Sequence, residues 1–196
     1  MDRHKKHSLN IRATLELFDS YLLEKGLKLE GVVIGGAALN LTGIIETRTR
    51  DCDIISPEIP QNIQDEISKF AMIQREQGTP ISDDWINDMP KQIATILEPG
   101  WESRTVKAFE GKAICLYALG RFDLLCTKLD AYCGRQVDLP DCVAMSPSKE
   151  ELDNAFSWVH KQDGNPDWPS HCRTKRIELE AALQQSKEKG DDFEPK

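Results

Sequence analysis

In the stretch "RTRDCDII" (48–55), Asp51 and Asp53 flank a single cysteine. On an extended segment, residues two apart project from the same face. The two carboxylates would therefore point together, with Cys52 turned the other way into packing. Close carboxylates repel, and a hard divalent cation offsets that repulsion. Mg²⁺ is typically held by one or two carboxylates plus substrate phosphates. Upstream, "VVIGGAALNL" (32–41) runs an apolar segment into Gly35-Gly36. Two glycines where a strand turns into a helix let the backbone approach an anion and aim free N–H groups at it. The aspartate pair and the double glycine, one short helix apart, point together to a nucleotide phosphate and a divalent cation.

The elements that must position these residues follow from hydrophobic periodicity. Ile11, Leu15, Phe18, Leu22 and Leu23 recur at helical spacing over residues 8–25, with Gly26 to close the helix. Residues 29–34 read as a buried strand and 37–41 as a short helix. Residues 51–55 form a second strand, because Ile54 and Ile55 continue the apolar run. A helix is expected over 61–76, ending at Gly78. A helical stretch is expected over 83–97, interrupted near Pro90. "RTVKAFEGKAICLYAL" (104–119) reads as a hairpin turning at Glu110-Gly111. Residues 121–134 are helical in pattern. A loop around Pro140 follows, then a helix opened by a Ser148/Glu151 capping box. Asp163-Gly164-Asn165-Pro166 is a turn, and a last helix runs from about residue 169 to 187. The layout is α+β, a mixed sheet flanked by helices with a helical C-terminal part. The expected division is a core over 1–142 with its N-terminal helix, a helical part over 143–188 and a flexible tail over 189–196.

The bulk numbers exclude several classes. The chain has 196 residues, 39% hydrophobic and 30% charged, enough apolar material for a core. No apolar run approaches the roughly 20 residues that span a bilayer, and the basic start "MDRHKKHSLN" lacks a secretory apolar region. A cytoplasmic location and no membrane partner are expected. A net charge of −8 disfavours broad nucleic-acid coating. The six cysteines form no CxxC pair and read as reduced core thiols. The four histidines show no HxxxH or HExxH spacing. GxSxG, Walker A and GxGxxG motifs are absent. Trp158 and Trp168 read as packing residues, and Arg173, Lys175 and Arg176 as a solvated helix face.

The glycine–DxD stretch resembles the polymerase-beta-like nucleotidyltransferase superfamily. "RTRDCDI" is similar to the RxTxDhD form of small bacterial members, including uncharacterised nucleotidyltransferases and relatives of type IV abortive-infection (AbiEii-like) toxins. "DWIND" (84–88), "GRFDLLCTKLDAYCGRQVDLPD" (120–141) and the segments "SPSKEELDNAFSWV" and "NPDWPSH" look like that branch's later blocks. The resemblance implies a polymerase-beta-like core in which Asp51 and Asp53 hold Mg²⁺ or Mn²⁺. It places Gly35 and Gly36 at the phosphates, with Arg48 or Arg50 adding charge beside the triphosphate. Lys128 matches the lysine of the downstream helical block, a catalytic or phosphate-binding position. Asp138 and Asp141 match its acidic residues. Trp85 and Asn87 are candidates for lining a nucleotide pocket, with core packing the competing account of Trp85. Active members commonly carry a third carboxylate on a later strand, and Glu102, Glu110 and Asp123 give no clear match.

The implied reaction moves a nucleoside monophosphate from an NTP to a hydroxyl acceptor, with release of pyrophosphate. The acceptor is a protein, a tRNA end or a small molecule. The alternative is a catalytically weak or inactive member of the fold that binds nucleotide or a partner protein, in a toxin–antitoxin type of role.

Overall fold

Helix α1 (Ile11–Glu24) is stabilised at its start by Asn10, whose side chain accepts the Ala13 N–H at 3.3 Å. Ile11, Leu15, Phe18 and Leu22 fall on one face and are fully buried. A computed structural model describes residues 9–46, 49–135 and 137–191, with side chains of the last helix described as far as residue 188. The chain divides into two compact units, Met1–Gly120 and Arg121–Lys196.

In the first unit, strand β1 (Leu29–Val33) leads into helix α2 (Gly35–Leu41), and strand β2 (Cys52–Ser56) leads into helix α3 (Gln61–Glu76). A two-residue strand β3 (Ile86–Asn87) is followed by short 3-10 turns over Lys91–Thr95 and Trp101–Arg104. The hairpin strands β4 (Val106–Glu110) and β5 (Ile114–Ala118) complete a five-stranded sheet of order β3-β2-β1-β5-β4. The sheet is mixed. β1 runs parallel to β5 and antiparallel to β2, while β3 lies parallel to β2 at the edge. The expected mixed α+β layout is what the chain adopts.

Two polar anchors hold the helices, Asp19 to the sheet and Glu66 between α1 and α3. Asp19 of α1 accepts the backbone N–H groups of Lys112, Ala113 and Ile114 at 3.0, 2.8 and 2.7 Å, fixing the loop of the β4–β5 hairpin. Gly111 is required there, because a methyl group at that position would collide with the Asp19 carboxylate. Burial opposes the charge on Asp19, but the three amides outweigh it and hold the carboxyl below its ordinary value. Glu66 of α3 accepts Tyr21 Oη at 2.7 Å and Lys69 Nζ at 2.7 Å, and pairs with Lys25 at 3.2 Å.

One sequence expectation fails in this unit. Residues 83–97 form no α-helix: the part before Pro90 gives the edge strand β3, and only Lys91–Thr95 after it is helical, as a 3-10 helix. The edge of β2 supplies the reason. The Cys52 N–H donates to the Trp85 carbonyl at 2.6 Å, and Ile86 aligns with Cys52. Backbone groups on a strand edge that is otherwise buried need partners, and Pro90 bars a helix through the segment.

The second unit is helical: α4 (Arg121–Arg135), α5 (Leu139–Ala144), α6 (Lys149–Val159) and α7 (Trp168–Asp191). The expected capping box is present. Ser148 Oγ accepts the Glu151 N–H at 3.1 Å, and Glu151 accepts the Ser148 N–H at 2.8 Å. The loop expected around Pro140 is instead α5, because proline is tolerated in a helix's first turn. The break between the compact units falls after Gly120, so α4 and α5 cluster with the C-terminal helices. Lys175 is buried and paired with Glu178, and Arg176 pairs with Glu180 and Asp153. Two of the three cations expected on a solvated face are therefore neutralised within the unit. All six cysteines are free thiols, five of them buried.

Candidate functional site

β1 ends at Val33, and the next residues form an elbow. Gly35 has φ +66°, a conformation that glycine adopts without a side-chain penalty. The elbow is stitched to β2, where the Ile34 N–H donates to the Asp53 carbonyl at 3.0 Å. A methyl group on Gly35 would sit 3.7 Å from Asp53 Oδ2. The double glycine and the second aspartate, well apart in sequence, are thus immediate neighbours.

Along the other strand, burial alternates. Asp51 is exposed, Cys52 is fully buried and Asp53 is half-buried. That alternation turns both carboxylates away from the face that buries Cys52. Burial pushes the Cys52 thiol well above its ordinary pKa, and the charges of Asp53 and Asp51 add to that push. The thiol is inert packing between two carboxylates.

Asn87 meets Asp53 from the neighbouring strand. The two residues are register partners across β2 and β3, and Asn87 Nδ2 donates to Asp53 Oδ1 at 2.9 Å. Trp85 lies two residues earlier but is wholly buried, packed against Phe18 and Phe70 at ring distances of 5.4 and 5.7 Å. It belongs to the core and does not line an open pocket, because a side chain this large is drawn to the largest apolar cluster of the unit. Its buried indole N–H has no acceptor among the described residues.

Arg50 is exposed at a bend before β2. Arg48 lies outside the described residues. Thr49, between them, is a residue that the sequence reading passed over. Its hydroxyl donates to the Asp51 carbonyl at 3.2 Å and lies 3.0 Å from where a side chain on Gly36 would begin. The threonine of the RxTxDhD pattern was the available signal, and its place against Gly36 explains why a glycine is needed there.

Lys128, Asp138 and Asp141 are brought together in the second unit. Lys128 Nζ donates to Asp138 at 3.0 Å and to Asp141 at 2.5 Å, and Arg135 Nε donates to Asp138 at 2.9 Å. Burial works against the Lys128 charge, but Asp141 and Asp138 outweigh it and raise the lysine above its ordinary value. Asp138 is likewise held low by Arg135 and Lys128 against the effect of burial. The cluster is an internal ion network with its own cation.

Asp51 and Asp53 offer hard oxygen donors of the kind a magnesium-sized cation takes together with phosphate oxygens. Among the described residues, no three His, Cys, Asp or Glu side chains come together as a metal site. The donor set therefore fits a cation that also binds its substrate, not a closed all-protein cage.

A mixed sheet with a double-glycine elbow beside a DxD strand end defines a protein of the nucleotidyltransferase class. The family itself is shown by residues 11–150, which match the family described as nucleotidyltransferase of unknown function (DUF6036), and the chain belongs to it. No curated protein and no solved structure matches the chain significantly. Among the described residues, no helix is long and apolar enough to cross a membrane.

Proposed function

We propose that the chain is a metal-dependent nucleotidyltransferase that moves a nucleoside monophosphate from an NTP to a hydroxyl acceptor. The observation that carries this reading is the adjacency of Gly35 and Asp53, which sets a side-chain-free stretch of backbone against a carboxylate. Asp51 and Asp53 would hold Mg²⁺ or Mn²⁺, which when bound neutralises phosphate charge and polarises the reacting oxygens. Gly35 and Gly36 let the triphosphate lie against the backbone, where any larger residue at 36 would meet Thr49. Arg48 or Arg50 would add positive charge for the triphosphate. In the reaction, a bond forms between the acceptor oxygen and the α-phosphorus, and the bond from that phosphorus to pyrophosphate breaks. The hydroxyl proton passes to solvent. The proposed chemistry does not draw on Lys128, whose ammonium is shared by Asp138 and Asp141.

A second reading, nucleotide binding without turnover, is favoured by one observation: the side chain facing Asp53 from β3 is an amide and not a third acid. A partner-holding role of the toxin–antitoxin type belongs to that reading.

Calorimetric titration with a non-hydrolysable NTP, with and without Mg²⁺, tests the site on wild type and Asp53→Asn. Mg²⁺-dependent binding that is lost in the variant is the expected result. Unchanged binding in Asp53→Asn would remove the proposal. Pyrophosphate release from a hydrolysable NTP then separates the enzyme from the binder.

A further inference from the structure

We propose that Asn87 limits the Asp51–Asp53 site to a single divalent cation; this rests on the reading of that pair as the cation site. The argument begins with the orientation of the Asn87 amide. Its Oδ1 accepts the Met89 N–H at 3.1 Å, and its Nδ2 donates to the Asp84 carbonyl at 3.3 Å and to Asp53 Oδ1 at 2.9 Å. A backbone N–H can only donate, while a carbonyl and a carboxylate can only accept. Turning the amide over would break all three contacts. The face that Asn87 presents to Asp53 is therefore an N–H face, which carries partial positive charge and has no lone pair for a metal.

The consequence concerns charge and ligand count. Two cations in a shared site lie about 3.5–4 Å apart and clamp opposite sides of the reacting phosphate. Holding both takes carboxylate oxygens turned to each ion. Here Asp53 Oδ1 receives the Asn87 N–H. The nearby Asp88 is also engaged, since its Oδ2 accepts the Ile59 N–H at 3.0 Å. The donor N–H that faces Asp53 supplies no ligand and disfavours a second cation beside it. Replacing Asn87 by aspartate keeps the size of the side chain and reverses its role. The new carboxylate would confront Asp53 Oδ1 and the Asp84 carbonyl, and a second cation would relieve that repulsion.

The test is equilibrium dialysis of the full chain against Mn²⁺ and a non-hydrolysable NTP, counting bound Mn²⁺. We expect one Mn²⁺ per wild-type chain, two for Asn87→Asp, and none for Asp53→Asn. Asn87→Ala is expected to keep one ion but to bind it roughly tenfold more weakly, because the hydrogen bond that orients the liganding carboxylate is lost. A merely structural role for Asn87 would lower the melting temperature of these variants without changing the ion count. Two ions on the wild type, or one on a folded Asn87→Asp, would overturn the role of Asn87 and leave the site itself standing. Should Asn87→Asp not fold, unchanged Mn²⁺ affinity in Asn87→Ala overturns it equally. Retention of the ion by Asp53→Asn would instead sink the site and this proposal together.

Discussion

Two pairs of aspartates occur in this chain, and they are treated in opposite ways. Asp138 and Asp141 share the ammonium of Lys128; Lys128 and Asp138 are buried and Asp141 is half-buried. Asp51 and Asp53 sit at the mouth of β2, one exposed and one half-buried, where the side chain that reaches Asp53 from β3 is the neutral amide of Asn87. In the first pair the protein supplies the cation from its own sequence, and the cluster becomes part of the fold. In the second, an amide orients a carboxylate at an open strand end. A carboxylate pair with a buried lysine of its own is architecture, and a pair at an open strand end can be a site.

The largest effect should come from removing the internal cation. Lys128→Met leaves buried Asp138 with Arg135 alone and half-buried Asp141 without its ammonium, and is expected to cost about 3 kcal/mol of stability in urea unfolding. Asp51→Asn and Asp53→Asn should each cost under about 1 kcal/mol, since neither is a fully buried charge. Similar losses in all three variants would erase the contrast.

A carboxylate satisfied by backbone amides should fall between these limits. Asp19→Ala strands three buried or half-buried N–H groups in the β4–β5 hairpin loop. A loss of about 2–3 kcal/mol is expected, with hydrogen exchange rising at Ala113 and Ile114. Protection that is unchanged at those amides would show that the hairpin holds without the anchor.

Glu66 sharpens the comparison through pH. Lys69 and Tyr21, helped by Lys25, draw its pKa from 4.5 down to about 2 against the effect of burial. A carboxyl whose folded pKa is depressed contributes stability above its unfolded value. That contribution is complete above pH 4.5 and is lost as the pH falls toward 2. Urea midpoints between these limits should fall less steeply in Glu66→Gln than in wild type. Parallel curves would mean that Glu66 adds nothing to acid sensitivity.

The smallest effect is expected at an exposed pair. Lys149 and Asp153, at 2.8 Å on the surface of α6, are both well solvated. Lys149→Ala should change stability by less than about 0.5 kcal/mol, and added salt should remove even that.

Much of the architecture could be read from the chain because local patterns agreed with it. The apolar spacing from Ile11 to Leu22, the capping box at Ser148 and Glu151, and the alternation in the hairpin each specify an element through contacts within a few residues. The double glycine and the aspartate pair were legible for the same reason, since each is a short motif with its own backbone logic. What local pattern could not supply was pairing between distant segments. The strand at Ile86–Asn87 exists because the edge of β2 needs partners, and α5 forms where a proline alone suggested a loop.

The sequence by itself determined which groups could do chemistry: two carboxylates and two glycines in a pattern suited to phosphate and a divalent cation. Only the tertiary structure decided their company. It brought Gly35 beside Asp53, buried Trp85 in the aromatic core, closed Lys128 between two aspartates and aimed the Asn87 amide at Asp53. The reason is one of range. Periodicity reports what a residue does within its own helix or strand, whereas charge balance and ligand number depend on side chains from elements that meet only when the sheet assembles.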